Sequence, residues 1–349
     1  MVNINSDRLH AVIKNVLMAA GADEWNAEGV AEHLVASNLS GVDSHGVWHL
    51  LGYVKGVQSG DIVPDAHPEI LQETASSALV SGNWGFGQPA GREAMQICID
   101  KAKTENIAIV GVVQKHHLGR IGHYVDMAAA EGLISFVFAG GQSEVAPTSM
   151  PFGGSRPVLN TNPLAAGFPT TEAGHPVMFD FATSCTSGVK VVNAKARGEK
   201  LPQGYVVDKH GVPTDDPEEF FDDGGHAPFG DHKGYAIMMM VEYISRIFLG
   251  TNALKDDKRG GDILRCEGGT MIALKADLFQ EMGDFLSWSD EMSQRVHAVP
   301  PAPGVDRVLM PGDPEANARE TRRRDGIPIE DDIWATVVEA CEMFGIADL

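Results

Sequence analysis

The sequence predicts a mixed α/β (α+β) fold, and three observations carry that expectation. Apolar residues recur at helical spacing up to Gly60, short β-rich runs bounded by glycine and proline fill the middle, and helical spacing returns beyond Leu278.

In chain order, Leu9, Val12, Ile13, Val16, Leu17 and Ala20 mark a first helix behind a Ser6 cap, stopped by Gly21. Trp25, Val30, Leu34 and Val35 mark a second, ending near Gly41. A third starts at Asp43 or Ser44 and runs through Leu50, Leu51, Tyr53, Val54 and Val57 to Gly60, so Asp43-Ser44-His45-Gly46 lies at a helix start. After Pro64 the runs ALVSG near residue 80, IAIVGVV from Ile107, LISFVFAG from Leu133 and VMFDFATS from Val177 read as strands. Helical stretches separate them at 92–104 and 124–131. Segment 235–249 is apolar on nearly every face and reads as a buried helix, its methionines as packing. Residues 300–303 form a proline linker, and Ile333, Val337, Val338 and Cys341 give the last apolar face. No internal repeat interrupts this order.

With 349 residues, 43% of them hydrophobic, the chain can bury a substantial core without disulfide staples. Lys and Arg number 27 against 48 Asp and Glu, a formal charge of -21 that repels phosphate backbones and anionic lipid surfaces. No nucleic-acid and no membrane partner is expected. Any anionic ligand must be held by a few local cations and backbone N–H groups. The 4 cysteines form no CxxC pair, which points to neither a disulfide framework nor a zinc ribbon. No basic segment followed by an apolar run opens the chain, and no apolar stretch approaches membrane-spanning length, so the expected location is cytoplasmic.

Gly85-Phe86-Gly87-Gln88-Pro89-Ala90-Gly91 follows a strand but fails as a dinucleotide fingerprint. Its third glycine comes one residue late, and Pro89 would sit inside the phosphate turn. The segment reads instead as a glycine-rich turn. Gly230-Asp231-His232-Lys233-Gly234 precedes the apolar helix, where free N–H groups and Lys233 favour a phosphate; its plainer reading is an ordinary capped helix. There are 13 histidines, clustered as His45 with His49 and as His116, His117 and His123 around Gly119-Arg120-Ile121-Gly122. Imidazole can take and return a proton near neutral pH, although any single histidine reads as readily as a core or capping residue. The second cluster also admits a metal-dependent hydrolase, against which stand the lack of HExxH and the cation Arg120 inside it.

Taken together, Ser44-His45-Gly46, His117-x-Gly119, Thr161-Asn162-Pro163-Leu164, Asp180-Phe181-Ala182-Thr183-Ser184, Gly211-Val212-Pro213-Thr214, His232-Lys233-Gly234-Tyr235 and Pro311-Gly312 resemble the malate/L-lactate dehydrogenase family, and most closely its broad-specificity hydroxycarboxylate dehydrogenases. The resemblance implies a helical domain built from both chain ends (1–75 and 280–349) and a central NAD(P)-binding domain (76–279) with a mainly antiparallel, non-Rossmann sheet. It also implies a homodimer acting as an NAD(P)-dependent oxidoreductase of a small 2-hydroxy or 2-oxo carboxylate. Reduction of a cyclic imino acid or a keto sugar acid is the alternative within the family.

Carried onto this sequence, the resemblance makes His45 the acid/base, with Ser44 and Asp180 as its orienters and His117 as a second active-site histidine to which the same role can fall. Cofactor contacts would come from His45, Gly119, Arg120, Ile121, Phe179, Asp180, Phe181, Ala182, His232, Lys233, Gly312, Asp313, Pro314 and Glu315. The cofactor would be NAD, with NADP open: Arg322, Arg323 and Arg324 either meet a 2′-phosphate or form a solvated helix face. Where many relatives carry an arginine to fork onto the substrate carboxylate, this chain has His49. Arg120, His116 or a protonated His49 are the candidates to replace it, and Tyr53 could add a hydroxyl. Asn160 replaces a glycine before Thr161, and Val189 replaces one before Lys190. No metal is implied.

Overall fold

The computed structural model describes residues 1–141, 146–171 and 174–347. Strand β1 (Val2–Ile4) leads into helices α1 (Ser6–Ala19), α2 (Glu24–Leu39) and α3 (Leu50–Ser59). Asn5, not Ser6, caps α1: its backbone is extended at φ -65° and ψ 142°, and its side chain accepts from the N–H groups of Asp7 and Arg8. The third helix does not begin at Asp43 or Ser44. Two 3-10 turns, Asp43–His45 and Val47–His49, flank Gly46, and α-helical geometry starts only at Leu50. Gly46 causes the break with φ -92° and ψ -147°, and the Asn38 side-chain oxygen accepts from Val47 N–H at 2.8 Å. A Cβ at position 46 would lie 2.2 Å from that oxygen, so the turn needs glycine.

The middle of the chain supplies β2 (Glu69–Glu73), β3 (Ser77–Ser81), α4 (Gly87–Glu105), β4 (Ile107–Val113), α5 (Gly122–Ala130), β5 (Leu133–Gly140), β6 (Leu164–Phe168), β7 (Val177–Phe181) and α6 (Gly188–Arg197). A small sheet follows, made of β8 (Val206–Val207), β9 (Pro213–Thr214) and β10 (Gly225–His226), with α7 (Pro217–Phe221) between the last two. Then come α8 (Asp231–Glu242), α9 (Gly261–Leu264), β11 (Gly268–Lys275), α10 (Met282–His297), α11 (Asp313–Asp325), β12 (Ile327–Ile329) and α12 (Asp331–Glu342).

The main sheet has seven strands in the order β2-β3-β4-β11-β5-β6-β7. Only β3 and β4 pair in parallel; the other neighbours are antiparallel. This is the mainly antiparallel sheet expected, and it explains why a fingerprint tied to parallel βαβ units fails. Helices α4 and α5 cover one face, burying Met95, Ile99, Tyr124 and Val125 against Val110, Val112 and Val137. A second core joins Leu9, Ile13, Leu34, Leu50 and Val54 to Ile327, Ile329, Val337 and Cys341. The pairing of β1 with β12, Val2 opposite Ile329, ties the two chain ends beside it.

The apolar segment near α8 departs from expectation. The helix begins at Asp231 and passes into a π turn at Tyr243–Ile247. Met238 and Val241 are buried, but Met240, Tyr243, Ile247 and Phe248 are exposed, because only one face meets the sheet. Among the described residues, no helix is long and apolar enough to cross a membrane.

Candidate active site

A cavity of about 550 Å³ opens where the 3-10 turns, segment 117–121 after β4, the end of β7 and the start of α6 converge. His45 and His49 line it from one side. His117, Gly119, Arg120 and Ile121 form a second wall, and Asp180, Phe181, Ala182, Ser187, Gly188 and Lys190 a third.

The turn carrying His45 is pinned from behind. Arg322 sets its guanidinium on both Asp43 carboxylate oxygens at 2.6 and 3.0 Å and also donates to the Asn38 carbonyl. Asn38 Nδ2 donates to the same Asp43 at 2.7 Å. A forked, partly buried charge pair of this kind restrains direction as well as distance. Arg322 is therefore a brace for the loop. Arg323 is exposed and Arg324 pairs with Asp325.

Segment 116–117 is set by glycine. Gly87, the first residue of α4, lies so close to the carbonyls of His116 and His117 that a Cβ there would stand 2.2 and 2.3 Å from their oxygens. Gly119, at φ +73°, likewise faces the buried His33, whose Nε2 would be 2.4 Å from an added Cβ. The glycines that fail as a phosphate loop instead let a helix start rest on the histidine segment. Pro89 is in the first turn of that helix, where its missing N–H costs nothing.

The imidazoles are neutral. Burial, with the Arg120 charge, brings His45 down to about 4, and burial brings His49 to about 3. Burial brings His116 to about 4 and holds His117 well below the usual histidine range. The His117 ring stands 5.7 Å from His45 and 4.7 Å from His49, so a proton on any one opposes a proton on the next. His45 Nδ1 lies 3.0 Å from Ser44 Oγ. His117 Nδ1 lies 2.9 Å from the Tyr53 hydroxyl, which also receives the Gln88 amide at 2.6 Å. Asp180 is pushed up to about 6, chiefly by burial, against the pull of Arg120 and a 2.7 Å bond from Gly122 N–H.

Several expectations change at this point. Asp180 spends its oxygen on Gly122, not on His45, leaving Ser44 as the side chain at His45 Nδ1. His49 lines the cavity, and with no ligand beside it burial holds it neutral near pH 7, so it offers a carboxylate no standing positive charge. Tyr53 is buried with its hydroxyl committed to His117 and Gln88, and His116 packs edge-on against Tyr53 outside the cavity lining. Arg120 is the cation that remains, only 2% exposed and 3.4 Å from Asp126. Lys190, on the first turn of α6, is a second cation at the cavity.

Of the residues expected at a cofactor, Gly119, Arg120, Ile121, Asp180, Phe181, Ala182 and Glu315 line this cavity with His45. Phe179 is outside the lining and stacks on Phe181 at 5.2 Å. Gly312 caps α11, Pro314 follows it as an exposed residue of the first turn, and Asp313 is buried and held by His175 and His297 at 2.8 and 2.7 Å. His232 and Lys233 are exposed on the first turn of α8, outside the lining. Small residues and backbone along Gly119, Ala182 and Gly188, with Arg120 and Lys190 nearby, make a wall fit for a flat, anionic group. Lys115 is fully buried against Glu267, which also lines the cavity.

Among the described residues, no group of three His, Cys, Asp or Glu side chains is placed to hold a metal ion. His116, His117 and His123 thus do not converge, and the hydrolase alternative loses its centre. Sequence reasoning gave no role to Asn38, Gln88 or Lys190, and Arg322 stood only within an arginine run. Their roles depend on contacts across the fold: Arg322 is 279 residues from Asp43.

The sequence profile of the malate/L-lactate dehydrogenase family matches residues 4–338. The malate dehydrogenase of Pyrococcus abyssi is 33% identical, over 100% of this chain and 96% of that one. Hydroxycarboxylate dehydrogenase B of Escherichia coli is 32% identical, over 99% and 95%. The crystal structure of malate dehydrogenase from Entamoeba histolytica superposes with a TM-score of 0.90 at 27% identity, covering 99% of each chain.

Proposed function

The chain belongs to the malate/L-lactate dehydrogenase family and is an oxidoreductase of 2-hydroxycarboxylates, and from that premise we propose that His45 is its acid/base, working in the cavity above. The observation that carries this is the pairing of His45 Nδ1 with Ser44 Oγ while the ring lines the cavity. With Ser44 Oγ accepting from Nδ1–H, the neutral ring leaves Nε2 bare to take a proton, and the same bond serves the imidazolium that results.

A nicotinamide bound along the Gly119–Ile121 and Asp180–Ala182 wall supplies the hydride acceptor or donor. The protein's part is the proton and the placement. In oxidation, His45 takes the hydroxyl proton as the C2–H leaves as hydride; in reduction of the 2-oxo acid it returns that proton to the same oxygen. Arg120 holds the substrate carboxylate, and His117 faces the reacting oxygen beside His45. NAD is the expected cofactor: the brace on Asp43 occupies Arg322, the arginine of the run drawn furthest into the fold, and leaves less of that run for a 2′-phosphate. A homodimer would cover Met240, Tyr243, Ile247 and Phe248, and would bring a second surface near Lys233.

The test is turnover of malate, lactate and longer 2-hydroxy acids, and of their 2-oxo counterparts, with each cofactor, read by the absorbance of the reduced nicotinamide. Turnover that His45→Ala abolishes, with cofactor affinity kept, supports the assignment. Turnover with none of them, or loss only in His117→Ala, removes it.

A further inference from the structure

Two histidines face one cavity, and the hydrogen bonds behind them differ in kind. His117 turns Nδ1 to the Tyr53 hydroxyl at 2.9 Å, so Nε2 is the nitrogen it leaves for the cavity. The Gln88 amide nitrogen donates into the same hydroxyl oxygen at 2.6 Å. A phenol has one proton to give. With the amide nitrogen in that place, the partner left for the phenol proton is His117 Nδ1, so Nδ1 accepts and the neutral ring carries its hydrogen on Nε2. His45 has the opposite arrangement, since Ser44 Oγ at Nδ1 can reverse its role by rotating one bond.

We infer that Gln88 and Tyr53 are positioning residues that lock His117 in the Nε2–H tautomer, making it a standing hydrogen-bond donor to the C2 oxygen of the substrate and leaving proton exchange to His45. The inference rests on the functional reading above and assigns the two histidines separate tasks. A donor aimed at the oxygen that gains charge as a 2-oxo acid is reduced stabilises that charge without itself changing protonation.

The fold supports the lock. Gln88 is 1% and Tyr53 2% exposed, so water does not compete for either bond. Gly87 brings the start of α4 against the carbonyls of His116 and His117, delivering the next residue, Gln88, to the back of the ring. Burial holds the Tyr53 phenol well above its ordinary range and His117 well below, so neither ionises in the working range. The Gln88 oxygen has no partner among the described residues, a cost that an apolar side chain would avoid.

The experiment is imidazole nitrogen NMR on the full-length enzyme labelled with 15N-histidine, with His117 assigned by its loss in His117→Gln. The expected result is one tautomer, protonated on Nε2, unchanged between about pH 6 and 8. Gln88→Glu replaces the amide donor with an acceptor for the Tyr53 proton, and should reverse the relay to Nδ1–H while lowering kcat about 10- to 100-fold. Tyr53→Phe keeps the ring shape and should give mixed tautomers with a roughly 10-fold loss in kcat; the shape of the kcat/KM profile above about pH 5, which His45 sets, should stay put. A wild-type His117 protonated on Nδ1, or a Gln88→Glu enzyme of unchanged tautomer and kcat, overturns the proposal. The wild-type spectrum needs no turnover and no folded variant except the assignment control. An Nε2–H His117 in a chain that turns over no 2-oxo acid would instead sink the functional reading alone.

Discussion

Acidification should unfold this protein well before its carboxylates are neutralised. His45, His116, His123 and His226 are each held at about 4 and His49 at about 3, all by burial. Their folded values lie below the ordinary 6.5 of an exposed histidine, so between about pH 6.5 and 4 the unfolded chain binds more protons and stability falls as pH falls. At about pH 5 each such histidine costs roughly 2 kcal/mol, and the five together roughly 10 kcal/mol. Asp180, raised to about 6, acts in the opposite sense: its proton is held more tightly in the folded state, returning roughly 1–1.5 kcal/mol at that pH. The net loss matches the 5–15 kcal/mol by which a typical domain is stable at all, so the acid midpoint should fall near pH 5. Circular dichroism through an acid titration, with calorimetric Tm at each pH, measures this. Cooperative unfolding near about pH 5, with several protons taken up, is expected. Among the described residues neither ring nitrogen of His226 has a partner, so His226→Leu should lose one proton of that uptake and shift the midpoint to lower pH. A Tm that stays level from about pH 7.5 to 5 would refute the account of a neutral, buried histidine cluster.

Three further outcomes follow from the site. With His45 at about 4, kcat/KM for oxidation should stay level from about pH 8 down to the onset of acid unfolding near about pH 5, and for reduction it should fall about tenfold per pH unit above about pH 5. An acidic limb centred near 6.5 would show His45 to be solvated. Arg322→Ala frees Asp43 and the His45 turn, costing about 1–2 kcal/mol in urea unfolding and lowering kcat more than cofactor affinity; unchanged kcat would show that the brace is idle. Gly87→Ala forces a methyl against the His116 and His117 carbonyls, so about 1–3 kcal/mol of stability and most turnover should be lost, and a silent substitution would contradict the packing.

The strands were legible because β-branched and aromatic runs between glycines mark them, and 107–113 and 133–140 match Ile107–Val113 and Leu133–Gly140 without adjustment. The break before α3 was not: Asp43 to Gly46 carries helix-start chemistry, and Asn38, reaching across from α2, together with Arg322 on Asp43 holds the chain in two 3-10 turns. Burial of segment 235–249 was overread because hydrophobicity on every face does not say which face the sheet will cover. In the site, His45, Ser44, His117 and Arg120 could be named from short motifs, since their chemistry is local. Gln88 and Arg322 could not, because each acts on a residue far away in the chain. The glycines of 85–91 were visible but their purpose was not; close packing on segment 116–117 leaves no periodic trace.

The most direct test is a crystal structure of the enzyme with NADH and a non-reducible 2-oxo acid analogue such as oxamate. The account predicts the analogue's carbonyl oxygen within hydrogen-bond reach of both His45 and His117 Nε2, its carboxylate on Arg120, and the nicotinamide against the Gly119–Ile121 wall. An analogue bound elsewhere, or a His45 ring turned away from it with no bridging water, would contradict the account.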